Sequence, residues 1–261
     1  MIMGGELLGG IDLVDISLAL FTLFFIGLVL HLQREGMREG YPSEQDTTGR
    51  VDTAKPFVSP KPKTFKLAHG RGDVDPEKRP RESRELAIKR TEAWPGAPYE
   101  PTGDPMADGV GPASWAERAD YPDLTLEGTP RIVPFRSHPE YFVPDEDKDP
   151  RGLPVIGVDG KVGGKVVDLW VDVSEAIIRY HEVEVETATG TKRVLLPVPF
   201  ANLQGGRKPA VTVHAITGSQ FAGVPETKSP DSVTRLEEDK IAGYYGGGTL
   251  YATPKRSEPL L

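Results

Sequence analysis

The chain contains no cysteine, and this absence excludes several classes of site. Without cysteine there can be no disulfide, no thiolate nucleophile and no metal site with thiolate ligands. The five histidines are scattered and form no pair with the spacing of metal ligands. Positive charge is also in short supply, because 31 Lys and Arg face 39 Asp and Glu and give a net charge of -8. A nucleic-acid-binding surface needs a basic face for phosphates, so this balance argues against such a partner.

Motifs that mark enzyme active sites are also missing from the sequence. The segment "GGKVVD" (163–168) carries a lysine after two glycines, but its spacing differs from that of a phosphate-binding loop. The glycine-rich segment "GYYGGGTLY" (243–251) is interpreted as a helix end rather than a phosphate cradle. No arrangement of serine, histidine and aspartate suggests nucleophilic catalysis. We therefore expect that the chain is not an enzyme by itself.

Long apolar runs are rare, and the clear example lies near the N-terminus. No formal charge occurs from Ile16 to Leu32. With residues 11–15 included, the candidate helix is about 33 Å long, enough to cross a hydrocarbon core. We predict a retained transmembrane helix over residues 11–33. A signal peptide is the main alternative, but it would need a basic start, whereas the residues before this run are acidic. A buried core helix is another, but little else in the chain is apolar enough to cover it.

Basic residues follow the apolar run, and none precedes it. The positive-inside rule therefore places residues 1–10 outside and the rest of the chain in the cytoplasm. Arg34 and Arg38 are four residues apart and share one helix face at headgroup depth, and Tyr41 lies just beyond them. These three residues are candidates for binding anionic lipid phosphates. The alternative is an ordinary flank that stops translocation.

The middle of the chain, residues 34–150, holds most of the 25 prolines. Proline removes a backbone donor and fixes φ, so this segment is predicted to form neither a regular sheet nor a long helix. Aromatic residues nevertheless recur in it, which is unusual for a free linker. They are Trp94, Tyr99, Trp115, Tyr121, Tyr141 and Phe142. We predict an irregular segment that covers the surface of a partner.

The pattern changes at residue 151. Short β-rich runs, separated by turn signals such as "DGKVGG" and "TATGT", predict five or six strands in a small antiparallel barrel or sandwich over residues 151–250. A helix is predicted near residues 232–245, with a capping box from Thr234 to Glu237 and a stop at the glycines after Tyr245. Residues 251–261 would form a tail. The predicted fold class is therefore membrane-anchored and mainly β, or α+β, with a C-terminal helix.

Carboxylates cluster around one of the predicted strands. In "KVVDLWVD" the two-residue period of a strand places Asp168 and Asp172 on one face. Glu175 follows, with Arg179 four residues later. One interpretation is a solvated sheet face with a salt bridge worth under ~1 kcal/mol. The other is a partly buried cluster, whose raised and coupled pKa values would let it pass protons near neutral pH.

Short segments of distinctive composition follow one another along the whole chain. In the first half they are "MREGYP" (37–42), "PKPKTF" (60–65), "HGRG" (69–72), "YEPTGDPM" (99–106) and "DGVGPASW" (108–115). In the second half they are "GKVVDLWVD" (164–172), "KSP" (228–230), "LEEDKI" (236–241) and "YATPKR" (251–256). In order and spacing these segments resemble the H subunit of the photosynthetic reaction centre of purple bacteria, over nearly the full length.

The resemblance implies a single transmembrane helix with a periplasmic N-terminus and a cytoplasmic domain built around a PRC-type β-barrel. Such a subunit lies in the bacterial inner (chromatophore) membrane and caps the L and M subunits. Those subunits hold the bacteriochlorophylls, bacteriopheophytins, quinones, carotenoid and non-haem iron, and the H subunit binds none of them as its principal ligand. It seals the quinone region and helps to supply protons to the secondary quinone. A cytochrome subunit, a light-harvesting antenna and membrane lipids are expected as further partners.

The family match also indicates which residues would carry protons. The local match consists of "WVD" (170–172), followed after two residues by Glu175 and then by Arg179. It implies proton transfer by Asp172, Glu175 and Arg179. Asp168 is a further candidate in the same strand. Quinone reduction in a low-dielectric site leaves charge that is costly unless protons arrive, which explains the need for such residues.

One part of the family pattern is missing. Some members have a pair of surface histidines where protons enter, but the corresponding segment here is "TLEGTPRIVP", with Glu127 and Thr129 and no histidine. We expect Glu127 or Asp123 to serve instead.

Two other functions compete with this interpretation. The chain could be a membrane-tethered adaptor whose barrel binds a soluble partner, or an RNA-associated protein, since similar barrels occur in ribosome maturation factors. The acidic charge and the apolar helix argue against RNA. The irregular segment with its aromatic residues favours a subunit that covers a large fixed surface over an adaptor.

Overall fold

A computed structural model describes residues 12–36, 48, 50, 64–75, 84–94 and 96–257. Arg38, Tyr41 and the predicted periplasmic residues 1–10 lie outside this part of the chain. The described residues fall into two compact units, one with residues 12–75 and 92–97 and the other with residues 84–91 and 98–257.

The first unit contains helix α1, Leu13–Gly36, which has no buried residue. Its N-terminus is capped by Asp12, whose Oδ1 accepts a hydrogen bond from the backbone N–H of Asp15 at 2.8 Å. The hydroxyl groups of Ser17 and Thr22 donate to the carbonyls four residues earlier, so these polar groups are satisfied within the helix. Among the described residues α1 is the helix long and apolar enough to cross a membrane. It continues three residues beyond the predicted 11–33.

Within the described ranges, four short strands precede the main sheet. Strands β1 (Phe65–Lys66) and β2 (Asp73–Val74) form an antiparallel pair in the first unit. Strands β3 (Ile88–Arg90) and β4 (Tyr99–Pro101) form another, followed by the single-turn helix α2 (Pro105–Asp108). These elements are short because prolines interrupt the segment, as the sequence predicts.

The second unit is built around a seven-stranded sheet. Its strands are β5 (Ile132–Pro134), β6 (Pro154–Ile156), β7 (Val162–Asp172), β8 (Ile177–Thr187), β9 (Gly190–Pro197), β10 (Ala201–Gln204) and β11 (Ala210–Val213). The order is β10-β11-β6-β7-β8-β9, and β5 also pairs with β7. All pairings are antiparallel except the one between β6 and β11, which is parallel. The small antiparallel barrel predicted from the sequence is therefore confirmed except at the parallel pair of β6 and β11, and β5 adds to it a strand from the irregular segment 34–150.

The two-residue alternation predicted for β7 breaks down towards its end. Residues 168–172 are all buried, so both faces of the strand are covered there. The register with β8 shifts between Val166 and Asp168 and again between Trp170 and Val171, and such bulges re-aim side chains. Trp170 and Leu169 lie in the core, at most 1% exposed. Asp168 and Asp172 are therefore buried, whereas Lys165, earlier in the strand, is exposed.

Helix α3, Arg235–Tyr251, closes the second unit. The predicted capping box is confirmed, since the Thr234 hydroxyl accepts from the backbone N–H of Glu237 while the Glu237 carboxylate accepts from that of Thr234. The predicted stop near residue 245 is wrong, because the helix runs through Gly246, Gly247 and Gly248. A methyl group at Gly247 would lie 2.4 Å from Cβ of Ala113, and one at Gly248 would lie 2.5 Å from the carbonyl oxygen of Ala215. These glycines allow close packing and do not end the helix.

Candidate functional site

A single arginine brings together carboxylates from two separate stretches of the chain. Arg131 precedes β5, and the pairing of Ile132 with Asp172 places it beside the end of β7. Its Nε lies 2.9 Å from Oδ1 and 2.8 Å from Oδ2 of Asp172. Its guanidinium also pairs with Glu175, and its Nη1 lies 3.6 Å from Oδ2 of Asp123. We call this group the Arg131 cluster; it comprises Arg131, Asp123, Asp172 and Glu175.

Backbone hydrogen bonds fix the position of the cluster. The N–H of Arg131 donates to the carbonyl of Asp123 at 2.8 Å, and its own carbonyl accepts from the N–H of Val173 at 2.9 Å. Asp172 shapes the turn after β7, because its Oδ1 accepts from the N–H groups of Ser174 and Glu175 at 3.0 and 3.2 Å. The turn thus holds Glu175 next to the same guanidinium.

The cluster extends from the interior to the solvent. The side chain of Asp172 is 2% exposed and that of Glu175 is 50% exposed, with Asp123 at 45%. Three carboxylates around one guanidinium give the cluster a formal net charge of -2. The excess of negative charge makes this rim of the barrel attractive to protons.

The buried carboxylate of the cluster is held in its charged form. Burial alone disfavours the ionised form of Asp172, but hydrogen bonds from Arg131 and from the backbone N–H groups of Glu175 and Ser174 outweigh it, so the pKa of Asp172 lies below its usual value. The hydrogen bond to Asp172 in turn raises the pKa of Arg131. The raised pKa expected for a buried carboxylate is therefore wrong for Asp172.

Three of the predicted proton-transfer residues, Arg179, Glu127 and Asp168, lie outside the Arg131 cluster. Arg179 is exposed on β8, and its charge acts on Tyr180 and Glu238. Glu175 forms its ion pair with Arg131 and not with Arg179. Glu127 is exposed in the tight turn between Thr125 and Thr129, and its neighbour Leu126 is 95% exposed.

Asp168 belongs to a second buried group of charges. Its Oδ2 lies 3.1 Å from Nη1 of Arg136, which also pairs with Glu182. Glu182 is 3% exposed and accepts a hydrogen bond of 2.8 Å from the indole of Trp170. Burial lowers the pKa of Arg136, but its bonds to Glu182 and Asp168 outweigh burial and raise it. Each buried charge here has a partner of opposite sign, which is typical of a structural ion-pair network.

Arg131 and Arg136 are the residues that sequence reasoning missed. Arg131 lies within the segment examined for the missing histidines and Arg136 lies two residues beyond it, but their buried carboxylate partners are 32 to 46 residues away. The signal that could have found them is the buried charge itself, since a buried carboxylate requires a partner.

The remaining candidates concern lipid and metal. Arg34 lies in the last turn of α1, whereas Arg38 and Tyr41 fall outside the described residues. Within the described ranges, no group of three or more His, Asp and Glu side chains could hold a metal ion.

Comparison with known families gives two matches. Residues 5–137 match the family described as the photosynthetic reaction centre, H-chain N-terminal region. Residues 145–211 match the PRC-barrel domain. The first match spans about half of the chain and includes Asp123 and Arg131, and the second includes Asp172 and Glu175. The Arg131 cluster is therefore assembled from both matched regions.

Proposed function

Because the chain belongs to the photosynthetic reaction centre H-chain family and carries a PRC-barrel domain, we propose that it caps the L and M subunits, stabilises the quinone region and conducts protons to the secondary quinone. Membership makes it a membrane-anchored subunit of the photosynthetic reaction centre, associated with L and M. Beyond this membership, we propose the capping of L and M, the stabilisation of the quinone region and the proton route to the secondary quinone.

The observation that supports a proton route is the Arg131 cluster. It offers a line of carboxylates from half-exposed Glu175 to nearly inaccessible Asp172, with a net charge of -2. Reduction of a quinone in a low-dielectric site requires protons to offset the added charge. Carboxylates with surplus negative charge draw protons from solvent and pass them inward at a small cost in free energy.

The members of the cluster take different roles in this proposal. Glu175 is the proton carrier, because it is exposed enough to exchange with water. Asp172 stays ionised because it accepts several hydrogen bonds. In the proposed route it therefore fixes the geometry and is protonated only transiently. Arg131 positions both carboxylates. Protons enter at Asp123 or Glu127.

Arg179 and Asp168, which lie outside the cluster, also belong to the proposed route. Arg179 adds positive charge at the edge of β8. Asp168 would contribute through the Arg136 group, although its contact with Arg136 is that of a structural ion pair.

We extend the proposal to the membrane and the complex. The N-terminal residues 1–10 lie in the periplasm, residues 11–33 span the bacterial inner membrane, residues 34–150 cover the partner subunits, and residues 151–250 form the cytoplasmic barrel with residues 251–261 as its tail. Bacteriochlorophyll, bacteriopheophytin, quinones, carotenoid and non-haem iron are held by L and M. A cytochrome subunit and an antenna complete the assembly.

The proposal also gives the membrane end of α1 a role. Arg34, Arg38 and Tyr41 bind anionic lipid at the cytoplasmic surface. Replacing both arginines with glutamine should lower the anionic lipid that copurifies with the complex, and an unchanged lipid content would contradict this part.

The first test is an absorption spectrum of the gently solubilised, affinity-purified native complex. We expect near-infrared bacteriochlorophyll bands that bleach on illumination, together with two hydrophobic partner chains. A colourless single chain would contradict the proposal.

The proton route is tested by Glu175→Gln. We expect this change to slow the second electron transfer to the quinone, because its coupled proton step is slowed. The matched control is Glu186→Gln, an exposed glutamate at the far end of β8. Equal rates in Glu175→Gln and the unaltered complex across pH would rule out the route through Glu175.

A further inference from the structure

Three arginines from separate parts of the chain surround one cavity in the second unit. Arg136 follows β5, Arg151 precedes β6 and Arg193 lies on β9. All three line a cavity of about 450 Å³, together with Asp168 of β7. Three guanidiniums and one carboxylate give this lining a formal charge of +2, although the chain as a whole carries -8. A local excess of positive charge attracts an anion. We call this site the arginine cavity.

The buried carboxylates beside the arginine cavity are paired chiefly with one of its arginines. Asp168 and Glu182 both form ion pairs with Arg136, and Arg193 adds a contact of 3.3 Å with Glu182. Within the described ranges Arg151 makes no ion pair with either of these buried acids. Arg136 therefore serves the fold, whereas Arg151 and part of Arg193 remain available to a ligand.

The other acidic partners of the three arginines lie outside the lining and are at least partly exposed. They are Asp149 beside Arg151, Glu184 beside Arg193 and Asp231 beside Arg136. Exposed ion pairs contribute little, because water and salt screen them. A doubly charged anion can therefore compete with these carboxylates for the guanidiniums.

Each guanidinium also has a nitrogen that its protein partners leave unused. Arg136 donates through Nη1 and Nη2, Arg151 through Nε and Nη2, and Arg193 through Nη1. Among the described residues, Nε of Arg136, Nη1 of Arg151 and Nη2 of Arg193 therefore have no hydrogen-bond acceptor. Hydrogen bonds between charged groups are shorter and stronger than neutral ones, so these nitrogens suit an anion with several oxygens.

The remaining lining of the arginine cavity is aromatic and apolar. It comprises Phe135, Pro139, Tyr141 and Val167. The ring centroids of Phe135 and Tyr141 lie 6.0 Å apart, and the guanidinium of Arg151 lies 5.9 Å from the ring centroid of Phe135. A volume of about 450 Å³ falls in the range of sites that hold small organic molecules. The cavity therefore has room for an organic group beside the anion.

We propose that the arginine cavity binds an organic phosphate monoester. The three guanidiniums hold the phosphate, and the rings of Phe135 and Tyr141 contact its organic part. A monoester presents three terminal oxygens and up to two negative charges, which match the three unused nitrogens and the formal charge of the lining. A carboxylate has only two oxygens and one charge, so it fits less well.

Such a ligand connects the irregular segment with the barrel. Phe135, Arg136 and Tyr141 come from residues 34–150, whereas Arg151 and Arg193 come from residues 151–250. A ligand that needs both parts in place stabilises their contact by mass action. The inference thus gives this chain a soluble ligand, which the proton route through Glu175 does not require.

The experiment is isothermal titration calorimetry of the intact purified complex with phenyl phosphate, inorganic phosphate and benzoate at constant ionic strength. We expect phenyl phosphate to bind most tightly, since inorganic phosphate lacks the organic part and benzoate lacks the third oxygen. Arg151→Gln and Arg193→Gln should each weaken the binding of phenyl phosphate by about tenfold. Arg207→Gln, at an exposed position, is the matched control and should bind as the unaltered complex does. Arg136 is kept, because its loss would leave buried acids without their main partner.

Hydrogen exchange shows where the ligand binds. In the unaltered complex, phenyl phosphate should slow amide exchange in residues 135–141 and around Arg193. In the double variant of Arg151→Gln and Arg193→Gln this protection should be lost. Equal affinities in the double variant and in Arg207→Gln, or protection only elsewhere, would overturn the assignment and leave the arginines as a structural ion-pair network. Equal affinities for phenyl phosphate and inorganic phosphate would overturn the role of the two rings.

Nanodiscs separate a soluble ligand from a lipid. The complex is placed in phosphatidylcholine with and without phosphatidylglycerol, and exchange of residues 135–141 is followed. Protection by phosphatidylglycerol, with none by phenyl phosphate, would overturn the monoester in favour of a lipid phosphodiester. The rate of the second electron transfer in Glu175→Gln tests the proposed function separately, so the failure of one leaves the other standing.

Discussion

Arg131 and Asp172 are joined across 41 residues of sequence by contacts of Nε with both carboxylate oxygens, at 2.9 and 2.8 Å. The carboxylate is almost completely buried and the arginine is not, since their side chains are 2% and 27% exposed. The two side chains of this ion pair therefore differ in their access to solvent. Loss of the arginine leaves a buried charge without a partner, which costs far more than the loss of a surface ion pair.

We predict that Arg131→Gln destabilises the end of β7 by about 3 kcal/mol. The reason is the uncompensated charge of Asp172, whose pKa should then rise towards or above its usual value. Hydrogen exchange of the β7 amides in the purified complex measures the local free energy of opening. Arg207→Gln, at an exposed position between β10 and β11, is the control. Equal protection in the two variants would show that Asp172 does not depend on Arg131.

The two candidates for proton entry should behave differently. Asp123 is a member of the Arg131 cluster and pairs with Arg131, whereas Glu127 is exposed in its turn. We expect Asp123→Asn to slow flash-induced proton uptake more than Glu127→Gln does, and the double variant to be slowest. A pH-indicator dye in a suspension of the complex gives the rates. Uptake that is unchanged in the double variant would exclude both residues.

The buried His181 should make the barrel sensitive to acid. Burial lowers the pKa of His181 to about 4, from an ordinary value near 6.5. Between these values the unfolded chain binds a proton that the folded chain does not, so stability falls as pH drops from 6.5 towards 4, by about 3 kcal/mol in all. Above pH 6.5 the effect vanishes.

We predict that His181→Leu removes this part of the pH dependence. The difference in hydrogen-exchange protection between the unaltered chain and the variant, followed from pH 7 to pH 4, isolates the contribution of His181 from that of the carboxylates. Parallel curves over this range would mean that His181 is protonated inside the fold.

The glycines of α3 offer a test of packing. Gly247→Ala would place a methyl group 2.4 Å from Cβ of Ala113, whereas in Gly246→Ala the nearest atom is the carbonyl oxygen of Pro112 at 3.1 Å. We expect Gly247→Ala to lower stability by about 1–3 kcal/mol despite the better helix propensity of alanine, and Gly246→Ala to cost less. Thermal denaturation of the complex ranks the two. The reverse order would show that helix propensity outweighs the close approach.

The sequence predicts those features that depend on neighbouring residues. The uncharged run before Arg34 predicts a long apolar helix, the pair Thr234 and Glu237 predicts its capping box, and the turn signals between β-rich runs predict the small barrel. Each of these patterns is complete within a few residues, so local physical chemistry is enough to recognise it.

Features that depend on distant residues could not be predicted in this way. The end of α3 was misplaced because the role of Gly247 depends on Ala113, far away in the chain. The face of β7 was misjudged because bulges against β8 interrupt its alternation. Arg131 was overlooked as the partner of Asp172 because only the pairing of β5 with β7 brings the two together.

Strand β5 has a consequence for how this protein could be divided. It lies within the region matched by the H-chain family, yet it pairs with β7, in a sheet whose other strands lie in or beyond the barrel match. A fragment that starts at residue 145 would leave β7 paired with β8 but without its β5 partner along residues 170–172, and would remove the guanidinium from Asp172. An open edge of this kind invites pairing with other chains and aggregation. The two matched regions thus share one sheet and one buried ion pair, and a cut between them would break both.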